Sequence, residues 1–110
     1  MDNTPTLILG FWEDPDRGIA IEFADEKHFY IDSGHMSGMQ LLYTLKFNKK
    51  LKRWQLNAPY IGFIKSYIKS ISADELIVDT LPKNAAPPAI DPVSGELTGE
   101  FTRRRLIRGR

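Results

Sequence analysis

Two histidines, His28 and His35, flank Asp32, and zinc accepts imidazole and carboxylate ligands of this kind, three or four at a time. On a strand, His28 and Asp32 share a face but stand too far apart to meet on one ion. They read as surface or loop residues, and no metal ligands are assigned. Ser33-Gly34-His35 sets a hydroxyl near an imidazole, yet neither a nucleophile elbow nor an oxyanion loop surrounds it. The carboxylates Glu13, Asp14 and Asp16 lack the ligand spacing of a calcium loop and read as a solvated turn. No pair of titratable residues is spaced for acid-base work, and no glycine pattern cradles a phosphate. No catalytic residue and no cofactor are therefore assigned, and the chain reads as non-enzymatic.

The residues with binding character are basic: Lys46, Lys49, Lys50, Lys52, Arg53, Lys65 and Lys69. Tyr43, Phe47, Trp54 and Tyr67 are interleaved with them, as in barrels that combine a charged groove with stacking platforms for nucleic acid. Alternation nevertheless puts Tyr43, Phe47 and Trp54 on the apolar face with Leu45 and Leu56, which makes them core. The sequence pI of 8.0 also falls short of the value above about 9 typical of a dedicated nucleic-acid binder. Nucleic acid is thus a disfavoured partner. The net charge of +1 conceals blocks: −6 over residues 1–40, +7 over 41–73, −5 over 74–102 and +5 over 103–110. Such blocks can neutralise one another across paired strands. The arginine-rich end is expected to lie against Glu13 and Asp14.

With 110 residues, 42% of them apolar, and twelve aromatics, the chain suits one domain with one core. It has no cysteine, so disulfides and thiolate sites are excluded and packing must hold the fold. That composition suits a reducing compartment, and the expected location is cytoplasmic. The apolar run Leu7-Ile8-Leu9 is too short for a signal segment or a membrane span.

The elements that must position these residues are strands, because β-branched and aromatic residues alternate with polar ones and turn chemistry recurs. Strands are expected at 6–13, 19–23, 28–33, 39–47, 51–57, 60–71, 76–80 and 96–107. The stretch 60–71 is ambiguous: Ile61, Ile64, Ile68 and Ile71 fall at helical spacing, yet its β-branched and aromatic content favours a strand. Residues 81–95, with Pro82, Pro87, Pro88 and Pro92, form a long loop that cannot supply a central strand. The expected architecture is all-β, a small antiparallel up-and-down barrel of about eight strands over 6–106. A tail at 1–5 precedes it and a basic tail at 107–110 follows. Closure into a barrel removes exposed sheet edges.

In Ile8-Leu9-Gly10-Phe11-Trp12, Tyr43-Thr44-Leu45, the run from Ile64-Lys65-Ser66 to Leu76, and Gly99-Glu100-Phe101-Thr102-Arg103, the chain resembles the small lipocalin-like β-barrels found in many bacterial proteins. The resemblance spans most of 6–106. It implies that the Trp of the Gly-x-Trp strand closes the barrel bottom beneath an arginine from the last strand, here Trp12 beneath Arg103. It also implies a small apolar ligand, with Phe23, Phe29, Tyr43, Phe47 and Trp54 either lining the interior or filling it, since an eight-stranded barrel does either. The proline loop departs from the family pattern. Together with the charged face it suits a second reading, a protein-interaction module such as an accessory, immunity or phage-associated protein. The sequence leaves oligomeric state open.

Overall fold

A computed structural model describes residues 3–31 and 39–109, and its strands form where the alternation is clearest. In chain order they are β1 (Gly10–Asp14), β2 (Ile19–Phe23), β3 (His28–Ile31), β4 (Met39–Leu42), β5 (Thr44–Asn48), β6 (Arg53–Ala58), β7 (Phe63–Ile71), β8 (Glu75–Thr80) and β9 (Thr102–Arg108). All pairings are antiparallel, and the sheet order is β4-β3-β2-β1-β9-β8-β7-β6-β5. The two outermost strands, β4 and β5, are consecutive in the chain and joined through Tyr43. The result is a nearly closed up-and-down barrel.

The strand count among the described residues is nine rather than about eight, because the strand expected at 39–47 divides at Tyr43. Its first half pairs with β3 and its second with β6. Tyr43 leaves the ladder because its groups are engaged elsewhere. Its N–H donates to the Lys27 carbonyl (2.9 Å) and its hydroxyl to the Asp25 carbonyl (2.6 Å). Its ring packs edge-on against Phe23, with centroids 4.7 Å apart.

Three further boundaries differ from expectation. Residues Thr4–Leu7 form one helical turn, α1, with Pro5 in its first turn, so β1 begins only at Gly10. The ambiguous stretch 60–71 resolves into a 3₁₀ turn, Pro59–Ile61, followed by the long strand β7. The last strand starts at Thr102 and runs through Arg108, so Ile107 and Arg108, expected in the tail, belong to the sheet. Residues 81–101 form an irregular strap that contains a single bridge, Ile90 to Leu97, among the described residues.

Two apolar clusters result. The barrel interior holds Trp12, Phe23, Phe29, Leu56, Phe63, Leu76, Val78 and Leu106. Outside the wall, Leu51 of the β5–β6 turn, Tyr67 of β7, and Leu81 and Leu97 of the strap make a second cluster. That outer cluster seats the strap on the sheet.

Candidate binding site

The inner face of β9 carries Arg104, Leu106 and Arg108, and its two arginines plug opposite ends of the barrel. At one end the Arg108 guanidinium lies 3.9 Å from the centroid of the Trp12 ring. It donates to the carbonyls of Leu7 (2.7 Å), Leu9 (2.8 Å) and Ala73 (2.8 Å). The Trp12 indole N–H in turn donates to the Ile8 carbonyl (2.8 Å). Gly10 is required here: its φ is +112°, and a Cβ would stand 2.9 Å from Arg108 Nη1. The arginine over Trp12 is therefore Arg108 and not Arg103. The β1–β9 register sets Trp12 opposite Arg108, whereas Arg103 points outward five residues earlier.

At the other end Arg104 donates through Nε (3.0 Å) and Nη2 (2.7 Å) to Asp14 Oδ2. Its Nη1 donates to the Ile61 carbonyl, and its guanidinium stacks 4.3 Å from the Phe63 centroid. Burial pushes the pKa of Arg104 down, against the opposing pull of Asp14. Asp14 itself is buried, so it belongs to this plug rather than to a solvated acidic turn.

Between the plugs the interior is filled. Trp12, Phe23, Phe29, Leu56, Phe63, Leu76, Val78 and Leu106 are each at most 1% exposed. A cavity large enough for a water molecule would leave accessible surface on its walls, and these walls have next to none. Phe23, Phe29 and Tyr43 form an aromatic cluster within this filling. Phe47 and Trp54 pack edge to face (5.4 Å), but Phe47 is 39% exposed. It sits at a rim, not in the core where alternation placed it, because β5 is the terminal strand of the sheet.

The outer face of β6 to β9 is where charge converges. Asp79 of β8 is fully buried there beneath the strap. It accepts from Arg53 Nη1 (3.0 Å), from Arg103 Nε (2.7 Å) and from Arg103 Nη2 (3.0 Å). Arg53 also donates to the Gly95 carbonyl (3.1 Å). Glu96 of the strap bridges Arg103 and Lys69 (3.0 Å). Their hydrogen bonds, that of Lys69 foremost, hold the Glu96 pKa below the usual carboxylate value. The hydrogen bonds that Arg103 donates to Asp79 raise the pKa of Arg103. Arg53, expected on the basic surface, is thus a buried partner of Asp79 and not a free cation.

The rest of the basic set occupies the β5–β6 hairpin and the adjoining face. Asn48 Oδ1 accepts the Leu51 N–H (3.0 Å) and Lys52 takes the left-handed conformation (φ 57°). This turn drives Leu51 into the outer cluster and leaves Lys49, Lys50 and Lys52 exposed around it. Lys46 projects from β5 opposite Gln55. Lys65 donates to the Lys83 carbonyl of the strap (2.6 Å). Among the described residues, Lys46, Lys49, Lys50 and Lys52 take part in no ion pair.

Two clefts open on either side of Leu51. One, of about 450 Å³, is bordered by Lys52, Arg53, Lys69 and Gly95, and its arginine and one lysine are already neutralised by Asp79 and Glu96. The other, of about 390 Å³, lies between the hairpin, Tyr67 and the strap residues Pro87 and Pro88. Asp79 and Glu96 escaped sequence reasoning, which notes Tyr67 as an aromatic interleaved with the basic residues. The signal for Asp79 was a lone acid inside the apolar run Leu76 to Leu81, opposite an arginine once β8 and β9 pair.

His28 pairs with Asp25 (Nδ1 to Oδ1, 3.0 Å), whose carboxylate also accepts the N–H groups of Lys27 and His28 (2.8 Å each). The Lys27 N–H is the chief cause of the lowered Asp25 pKa. This is turn chemistry. Asp32, Ser33 and His35 lie outside the described residues. Among those described, no group of three or more His, Asp or Glu residues could hold a metal, and no helix is long and apolar enough to cross a membrane. Comparison with protein families, curated proteins and solved structures finds no match to this chain.

Proposed function

We propose that the chain is a non-enzymatic interaction module, a filled lipocalin-like β-barrel that binds an acidic segment of another protein with the outer face of its β5–β6 hairpin. One observation carries this reading. Of the other basic residues of this face, Arg53 and Arg103 are neutralised by Asp79 and Lys69 by Glu96, and Lys65 is turned onto the Lys83 carbonyl of the strap. Lys46, Lys49, Lys50 and Lys52 have no such partner among the described residues. Like charges gathered at one hairpin raise the local potential and favour an acidic partner. The Trp12–Arg108 plug supports the lipocalin-like assignment, and a cysteine-free chain suits the cytoplasm.

A single-stranded nucleic acid needs aromatic platforms beside its cationic track. Of the aromatic residues described on this face, Tyr67 is 7% exposed beneath the strap and Phe101 is half-buried in the outer cluster, covered by Arg103. An acidic polypeptide needs no stacking surface and fits better. An apolar ligand inside the barrel is disfavoured by the packing of the interior.

The test is fluorescence polarisation with a labelled Glu-rich peptide and a labelled oligothymidylate at low salt. The peptide should bind, should be displaced by salt, and should lose at least about tenfold in affinity to a Lys46→Glu/Lys49→Glu variant. Tighter binding of the oligonucleotide would assign the face to nucleic acid. No binding of either would overturn the proposal.

A further inference from the structure

We propose that the cleft between the β5–β6 hairpin and the strap is a binding pocket for an organic monoanion, a carboxylate attached to a compact apolar group. This inference rests on the hairpin face being the binding face, and adds the pocket and the chemistry of the group it takes. The cleft, of about 390 Å³, falls within the range of small-molecule sites, roughly 300–1,000 Å³. Each of its polar side chains, Asn48, Lys50, Gln55, Lys65 and Tyr67, carries a donor, and no carboxylate of the described residues lines it.

Tyr67 is the sharpest sign. It is 7% exposed, and its hydroxyl has no hydrogen-bond partner among the described residues. Among the described residues no enclosed side-chain oxygen or nitrogen lacks a partner, so this hydroxyl is the part of Tyr67 that reaches open space, and the cleft is an opening that Tyr67 lines. Burial raises its pKa above the usual value of 10, which keeps it a donor at neutral pH. Gln55, opposite Tyr67 in the β6–β7 register, has an amide equally without a partner among the described residues.

Lys65 is aimed at the strap by backbone geometry that costs free energy. Between the pairs Leu56–Ser66 and Ala58–Phe63, β7 carries one extra residue, and within that bulge Lys65 adopts φ +51°. Bulges of this kind re-aim side chains, and a non-glycine residue held at positive φ marks strain retained at a site. Two ammonium groups border the cleft. Among the described residues Lys50 has all its donors uncommitted, while Lys65 keeps its charge but directs one N–H at the Lys83 carbonyl, so a single carboxylate is taken chiefly by Lys50 and the Tyr67 hydroxyl. Pro87, Pro88 and Leu81 supply the apolar wall for the remainder of the ligand.

The test is a ¹H–¹⁵N NMR titration of the whole chain with N-acetylleucine, its uncharged amide, and phenyl phosphate. At about 10 mM, above the Kd near 1 mM plausible for so small a ligand, N-acetylleucine should shift the amides of Gln55, Tyr67 and Ala86 saturably. The uncharged amide should bind at least about tenfold more weakly. Tyr67→Phe and Lys50→Gln should each weaken binding by about fivefold or more, whereas Lys27→Gln, on the exposed β2–β3 turn away from the cleft, should not. Spectra of the free variants check that each remains folded.

Equal binding of acid and amide would reduce the cleft to an apolar surface. Tighter binding of phenyl phosphate would make it a dianion site, and no shift would remove it altogether. Each of these results overturns the proposal. A Glu-rich peptide ending in leucine, with a free or an amidated C-terminus, separates the two sources of the carboxylate. If that peptide shifts Lys46 and Lys49 while N-acetylleucine shifts nothing, the pocket falls and the hairpin reading stands; if neither acts, both fall.

Discussion

Arg103 and Arg104 are neighbours in the chain and stand on opposite sides of the barrel wall. Arg104, inside, is buried against Asp14, with a pKa lowered by desolvation. Arg103, outside, is 39% exposed and shares its charge between Asp79 and Glu96. The inner arginines, Arg104 and Arg108, seal the two ends of a filled core. The outer ones, Arg53 and Arg103, fasten a strap onto a face that is otherwise open. The same residue type thus does structural work on one side and shapes a surface on the other, and the period of two along β9 decides which.

The largest effects should come from the inner side. Trp12→Ala should cost about 3–5 kcal/mol in denaturant unfolding, since the indole is wholly buried and its removal leaves a large cavity. Asp14→Ala should cost a similar amount, about 3–5 kcal/mol, because it leaves the Arg104 charge buried without its carboxylate. If either variant lost less than about 1 kcal/mol, that plug would not be holding the fold.

On the outer side the response should be local. Leu97→Ala removes a buried anchor of the strap and should cost about 2 kcal/mol, the lower end for buried leucines, because this small outer cluster can collapse. Hydrogen exchange should quicken in 81–101 while β1, β2 and β9 keep their protection. Loss of protection throughout the barrel would show the two sides to be one cooperative unit.

Acid should separate the two sides as well. The folded-state pKa of Glu96 lies below its usual 4.5, so its contribution is in place above that value and is lost as pH falls through the depressed one. Below about pH 4.5 the links to Lys69 and Arg103 should weaken. Exchange in the strap should then rise before the barrel unfolds. Glu96→Gln should abolish that pH step. The smallest expected effect on stability, within about 0.5 kcal/mol, belongs to Lys46→Gln and Lys49→Gln, which touch no buried group. Their effect should appear in binding of an acidic peptide.

Much of the architecture was legible because alternation and turn residues are local signals. β2, β3, β6 and β8 fall within two residues of their expected bounds, and the acidic first strand does meet the arginine-rich last one. What escaped is set by distance in sequence. The break at Tyr43 depends on carbonyls of the 25–27 turn, which no local pattern shows. The β9 register depends on where a long irregular strap delivers the chain, so a Phe-x-Arg resemblance selected Arg103 where the ladder places Arg108 over Trp12. Asp79 is a lone carboxylate in sequence and becomes a site only when Arg53 and Arg103 arrive from strands on either side. The lysines were legible as a group; which of them stay unpaired required the ion pairs of the folded chain.

The central claim is that this barrel binds from its outside while its interior is closed. The most direct test is a chemical-shift map of the whole chain titrated with a Glu-rich peptide and, separately, with a long-chain fatty alcohol. The account predicts saturable shifts for the peptide at Lys46, Lys49, Lys50, Gln55 and Tyr67, and none for the alcohol at inward residues. Saturable shifts with the alcohol at Trp12, Phe23, Phe29 and Leu56, and none with the peptide at the hairpin, would contradict it.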